Sequence, residues 1–165
     1  MPNRYFLAKK WVVATAALFL ISLSAQAFER REATIARVID GDTAKLSSGE
    51  KIRFIGIDTP EYAPGKNIEE FYGKQAADYT RKHLSGKTVQ LESDVDSLDK
   101  YNRRLVYIFL PDGTFFNERL VEEGYAEAKY YAPNGRYRER LNAAERKARA
   151  VKKGLWLLDK SKSRD

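Results

Sequence analysis

Thr34-Ile35-Ala36-Arg37-Val38-Ile39, Thr43-Ala44-Lys45-Leu46 and Lys51-Ile52-Arg53-Phe54-Ile55-Gly56-Ile57 are three short runs separated by Asp40-Gly41-Asp42 and by Ser47-Ser48-Gly49-Glu50. The first run alternates and is β-branched, as a half-buried strand is, and the third is dense in Ile and Phe. Ser-Ser-Gly-Glu supplies turn residues for a hairpin loop. The spacing predicts strands over Thr34–Ile39, Thr43–Leu46 and Lys51–Ile57, joined as an antiparallel meander.

Beyond the meander the period changes. A loop rich in Pro and Gly runs from Asp58 to Lys66. Tyr72, Ala76, Tyr79 and His83 then recur at helical spacing, which predicts a helix over Glu69–Leu84 that Gly86 ends. Thr88–Ser93 and Leu105–Leu110 read as two further strands, the second closed by the turn Pro111-Asp112-Gly113. Asn117 is placed to cap a short helix that Gly124 closes. Leu141, Ala144, Ala148 and Val151 form the stripe of a third helix over Glu139–Lys153, after which Leu155 and Trp156 are expected to fold back onto the core. Strands do not alternate regularly with helices, so a doubly wound sheet is disfavoured. The expectation is an α+β domain built on a five-stranded barrel with three α-helices, and the OB-fold is a barrel of that size that often receives oligonucleotides.

The first 27 residues are of another kind. Arg4, Lys9 and Lys10 precede an apolar run from Trp11 to Leu23, and Ala25-Gln26-Ala27 follows with small residues. That order is a secretory signal, and the run is shorter than the roughly 20 residues a spanning helix needs. Cleavage after Ala27 is expected, leaving residues 28–165 as one domain with a polar tail from about 160. A secreted or periplasmic location follows, with no lasting membrane association and a monomer as the expected state. Removal takes three basic residues and no acids, so the net charge falls from +7 to +4 and says little about partners by itself.

The 165 residues contain no Cys and one His. Disulfides, thiolate metal sites and Cys nucleophiles are excluded, and His-rich zinc sites cannot be assembled. Any metal chemistry must use oxygen ligands, which suits calcium or magnesium.

The residues that carry chemistry lie between Asp40 and Glu61. Asp40-Gly41-Asp42 alone reads as a plain turn, and Asp58-Thr59-Pro60-Glu61 alone as a polar loop. Antiparallel pairing returns Asp42 and Asp58 to the same end of a hairpin, where converging carboxylates repel unless a cation stands between them. Arg53, between the two clusters, offers a guanidinium suited to phosphate. Simple strand alternation, however, puts Arg53 and Asp58 on opposite faces; a shared site requires barrel twist, a bulge, or an Asp58 lying beyond the regular pleat. Downstream, Tyr130 and Tyr131 stand among basic residues, where they serve either as base-stacking platforms or as edges of the core.

Val38-Ile39-Asp40-Gly41-Asp42-Thr43, then Arg53, then Ile57-Asp58-Thr59-Pro60-Glu61, resembles the signature of the staphylococcal nuclease (thermonuclease) family, and Asp99-Lys100-Tyr101 followed by Arg103 is similar to its second arginine motif. The likeness runs from about Thr34 to Trp156. It implies an OB-fold barrel with three helices and a calcium-dependent nuclease that cuts DNA and RNA to 3′-phosphate products. It implies Ca2+ ligation by the carboxylates of Asp42 and Asp58 and the backbone carbonyl of Thr59, with Asp40 as an outer-shell partner. It further implies Glu61 as general base, Arg53 and Arg103 as phosphate-holding catalytic residues, and Tyr130 and Tyr131 near the nucleotide-stacking positions. Asn102 stands where the family pattern has Gly, and Asn tolerates the left-handed backbone region. The alternative is a non-catalytic OB-fold nucleic-acid-binding module, which needs a basic groove and aromatic platforms but no converging carboxylates. A third possibility is an exported calcium-binding protein, which would keep the acids without needing both arginines.

Overall fold

The meander forms at its expected place. The computed structural model describes residues 30–157; the expected signal segment, residues 1–27, and the polar tail from about 160 lie outside the described residues. Strands β1 (Arg31–Val38), β2 (Thr43–Leu46) and β3 (Lys51–Phe54) pair antiparallel, with Val38 opposite Ala44 and Thr43 opposite Arg53. A register shift between Ile35 and Arg37 bends β1. The chain then forms β4 (Ile57–Asp58), the small hairpin β5 (Tyr62–Ala63) and β6 (Ile68–Glu69), and helix α1 (Gly73–Leu84). Strands β7 (Thr88–Glu92) and β8 (Arg104–Phe109) follow, then α2 (Phe116–Glu122), β9 (Glu127–Ala128) and α3 (Arg138–Ala150). The barrel closes in the order β1-β2-β3-β8-β7, with β3 and β8 parallel. This is the expected five-stranded OB-type barrel with three helices.

Alternation fills the barrel. Ile35, Val38, Ala44, Leu46, Ile52 and Phe54 from the meander meet Val89, Leu91, Val106 and Ile108 inside it. Each such aliphatic or aromatic side chain removed from water contributes about 1.5–3 kcal/mol before conformational entropy is subtracted.

Four expectations are corrected. The third strand does not run to Ile57: it stops at Phe54, and the chain turns at Ile55-Gly56, where Gly56 has φ +79°. Helix α1 begins at Gly73 rather than Glu69, because Ile68–Glu69 is held by Tyr62–Ala63 and Tyr72 takes φ 70°. Its buried face is Ala76, Ala77, Thr80 and Leu84, while Tyr79 and His83 stack at its flank beside Phe116. Asn117 caps nothing. It is wholly buried inside α2, accepts from the backbone N–H of Ile108 (2.9 Å) and donates to the carbonyl of Ile55 (2.9 Å). Both peptide groups lie just past the last β3–β8 pair, Phe54 with Val106, and one amide satisfies both. On α3, Leu141, Ala144 and Ala148 are buried, but the helix ends at Ala150 and Val151 is 70 % exposed. Leu155 and Trp156 return and bury themselves beside Ala148.

A buried ionic knot pins α3 to β7. Glu92 accepts from Arg30 Nε (2.9 Å), Arg136 Nη1 (2.6 Å) and the Tyr137 hydroxyl (2.9 Å). Burial pushes the Glu92 carboxyl up, but these hydrogen bonds outweigh it and hold it below its ordinary value. A depressed folded pKa means the stabilisation is present above the unfolded value of about 4.3 and is lost as the pH falls through the folded value. Glu92→Gln is therefore expected to cost about 3 kcal/mol at neutral pH, since it removes the buried negative charge that Arg30 and Arg136 share, Arg136 keeping its contact with Asp94. In urea melts as a function of pH, the gap between wild type and variant should shrink below about pH 4.

Candidate active site

Hairpin register builds the first half of the site. Asp42 immediately precedes β2, and Thr43 lies opposite Arg53, so the Arg53 side chain emerges beside Asp42. Asp42 is fully buried, and both of its carboxylate oxygens have polar partners. Oδ2 accepts from the Thr59 N–H (3.0 Å), while Oδ1 accepts from the Thr43 hydroxyl (3.1 Å) and is paired with Arg53 Nη1. The Asp42 N–H in turn donates to Asp40 Oδ1 (3.1 Å), and the Thr80 hydroxyl of α1 donates to the Gly41 carbonyl (2.7 Å). The two acidic bends touch at Gly41: a Cβ there would come within 2.5 Å of Thr59 Oγ1. A side chain at that position would push the bends apart.

The break after β3 brings Asp58 round. Ile55 and Gly56 leave the pleat, so alternation from Arg53 no longer applies, and Asp58 lies beyond it on the Arg53 side. Arg53 Nη2 donates to Asp58 Oδ1 at 2.6 Å. A Cβ at Gly56 would stand 2.5 Å from Leu141 Cδ1, so α3 packs directly on this turn. β9 holds β4 in place through Asp58 opposite Glu127, and Lys129 Nζ lies 3.6 Å from Asp58 Oδ2.

The second arginine arrives from the loop before β8. Asp99 accepts from the N–H groups of Tyr101 (2.9 Å) and Arg103 (2.9 Å), and from Arg103 Nε (2.7 Å). Asn102 takes φ 60°, the left-handed turn for which Asn suffices. Arg104 is drawn away by Glu50 (2.8 Å), so Arg103 alone of the two shares a cleft with Arg53. That cleft has a volume of about 600 Å³ and is also lined by Lys100, Tyr101, Leu105 and Tyr131.

Glu61 lies at the acidic rim, its side chain exposed and its backbone clamped. Its N–H donates to Glu70 Oε2 (3.0 Å), and its carbonyl accepts from the Glu70 N–H (2.9 Å). Partial burial, then the negative charges of Asp40, Asp58 and Glu70, push the Glu61 carboxyl up against the pull of Arg53. Burial also raises Asp40, with Arg53, Thr43 and Arg103 pulling it back. Asp40, Asp42, Asp58, Thr59, Glu61, Arg53 and Arg103 are thus brought to one mouth of the barrel. Tyr130 is not: its ring lies under the Arg138 guanidinium (4.4 Å) and against Gly135, outside the cleft that Tyr131 lines. The Glu70 clamp has no signal in the sequence, because it depends on the β5–β6 hairpin, which two-residue strands do not announce.

Among the described residues, no group of three or more acidic or histidine side chains stands ready to hold an ion. The Asp42 and Asp58 carboxylates are instead bridged by the Arg53 guanidinium. A cation is thus already the partner these two acids take. Carboxylate oxygens are the donor chemistry that suits calcium or magnesium.

The family model described as Staphylococcal nuclease homologue matches residues 51–157. The thermonuclease of Staphylococcus hyicus is 42% identical over 125 residues, covering 74% of this chain and 73% of that protein. Endonuclease YncB of Bacillus subtilis is 35% identical over 128 residues, 74% of this chain and 60% of its own length. The SPbeta prophage-derived endonuclease YokF of the same organism is 33% identical over 130 residues, 76% of this chain and 44% of its own. With that family model over most of the chain and a thermonuclease 42% identical across nearly three quarters of both proteins, the chain belongs to the staphylococcal nuclease homologue family.

Proposed function

We propose that this chain is a secreted, calcium-dependent nuclease that hydrolyses phosphodiester bonds of DNA and RNA and leaves 3′-phosphate ends. The observation that carries the reading is the shared cleft of Arg53 and Arg103, with Asp42 and Asp58 paired to the Arg53 guanidinium and Glu61 near enough to feel its charge. A calcium ion on the Asp42 and Asp58 carboxylates and the Thr59 carbonyl, with Asp40 behind them, would supply positive charge beside the phosphate. Arg53 and Arg103 grip the non-bridging phosphate oxygens and neutralise the charge that grows on them in the transition state. Glu61 accepts a proton from the attacking water, whose oxygen bonds to phosphorus as the bond to the 5′-oxygen breaks. That oxygen leaves with a proton from solvent, giving a 5′-hydroxyl and a 3′-phosphate. Tyr131, on the wall of the same cleft, offers a face for a base, and Tyr130 holds the turn beside it. Export to the periplasm or medium, and action as a monomer, complete the proposal.

The test is single-stranded DNA incubated with the purified protein, in calcium and in chelator, beside the Glu61→Gln variant. Degradation in calcium alone, slowed about 10²–10⁴-fold in the variant, is the expected result. Binding without cleavage would leave a non-catalytic nucleic-acid module in its place.

A further inference from the structure

Beside the candidate active cleft lies a second concavity of about 530 Å³, lined by Gly49, Glu50, Lys51, Asn102 and Arg104. Leu98 and Tyr101 line both concavities and so form the wall they share. Both side chains stand out into solvent, Tyr101 67% exposed and Leu98 50%. The Tyr101 ring, with Lys100 Nζ 5.0 Å and Arg103 Cζ 5.4 Å from its centroid, is an exposed aromatic among basic groups, the pairing that stacks unpaired bases.

The charges of the second hollow are set by register. Lys51 lies two residues before Arg53 on β3, so both project from one face about 7 Å apart. Lys45 is the cross-strand partner of Lys51 on β2 and extends the same row. Arg104 enters from the start of β8. Its counter-ion Glu50 is shared with Arg31, one carboxylate against two guanidinium groups. Lys51 and Lys45, joined by Arg104 and Arg31 against the single Glu50, therefore keep a positive surplus that leads away from the candidate active cleft.

We propose that the second concavity is a phosphate subsite for a single-stranded polynucleotide whose scissile phosphate lies in the first. The strand crosses the Tyr101 and Leu98 wall, and an outlying phosphate rests on Lys51 and Arg104. This rests on the nucleic-acid part of the function proposed above and adds a preference for strands longer than the catalytic cleft alone can hold. A single strand is the polymer that fits. Its unpaired bases are free to lie on an exposed tyrosine, whereas a duplex keeps its base faces stacked.

The test uses Lys51→Gln and the double variant Lys51→Gln/Arg104→Gln, each checked for an unchanged melting curve. Lys51 is exposed, so its single variant keeps the test valid where the double variant is destabilised. Two measurements are made. The first is KM in calcium for a dinucleotide and for a single strand of about twelve nucleotides. The second is the salt dependence of binding the longer strand in chelator. KM for the longer strand should rise about tenfold in the double variant while the dinucleotide value and both kcat values hold. The slope of log K against log salt should flatten by about 0.7 for each phosphate that the variant no longer neutralises. Equal changes on both substrates, or no change on the longer one, would overturn the subsite. A wild type that binds the longer strand with the steeper slope but cuts nothing keeps the subsite and removes the catalytic reading.

Discussion

Arg53→Ala is expected to cleave single-stranded DNA about 10³-fold more slowly than wild type at saturating calcium, and yet to bind calcium more tightly. The two effects have one origin. The guanidinium pairs with both Asp42 and Asp58. An arriving cation must displace it from those oxygens, so Arg53 competes with calcium for its ligands. The released guanidinium faces the cleft it shares with Arg103, where a phosphate would lie. Alanine removes the competitor and the phosphate grip together. Calcium titration by calorimetry, beside single-turnover cleavage, separates the two. Weaker calcium binding in the variant would mean that Arg53 supports the metal site rather than opposing it. Arg53→Lys should restore little of the rate, because an ammonium cannot grip two phosphate oxygens side by side.

Asp42→Asn is expected to abolish detectable cleavage, a drop of more than about 10³-fold, and to destabilise the fold by about 2 kcal/mol. The carboxylate is wholly buried and acts only as an acceptor, from the Thr59 N–H, the Thr43 hydroxyl and Arg53. An amide turns one of its two oxygens into a donor. It can satisfy Thr59 or face Arg53, but not both. The bend at Asp58-Thr59 then loses its tie to the bend at Asp40-Asp42, and the proposed calcium site loses both charge and position. Chemical denaturation gives the stability change, and it should be compared with Asp58→Asn. Asp58 is partly exposed and does not carry the Thr59 tie, so its variant should lose activity with a much smaller loss of stability.

The barrel was legible because its signals are local. Alternation in Thr34–Ile39 and the turn residues of Ser47–Glu50 are read within a few positions, and five strands with three late helices leave few architectures. The acidic bends and both arginines were legible as a pattern, and so was the return of Asp42 and Asp58 to one end of the hairpin, but how Arg53 comes to face Asp58 was not. It depends on the Gly56 turn, which looks in sequence like one more residue of an apolar strand. Only the packing of Leu141 against that turn, from a helix 85 residues later, explains why the strand stops there. Asn117 was misread for a related reason. An Asn near a helix start reads as a cap, and nothing nearby reveals that the Ile55 carbonyl and the Ile108 N–H will meet its side chain. Tyr130 and Tyr131 are adjacent and alike in sequence; Gly135 and Arg138 decide which of them turns away from the cleft.

A crystal grown without metal and then soaked in calcium measures the central claim directly. An ion is predicted between the Asp42 and Asp58 carboxylates and the Thr59 carbonyl, at about 2.3–2.6 Å from each, with Arg53 released toward Arg103. An ion bound elsewhere, while Arg53 still bridges Asp42 and Asp58, would contradict it.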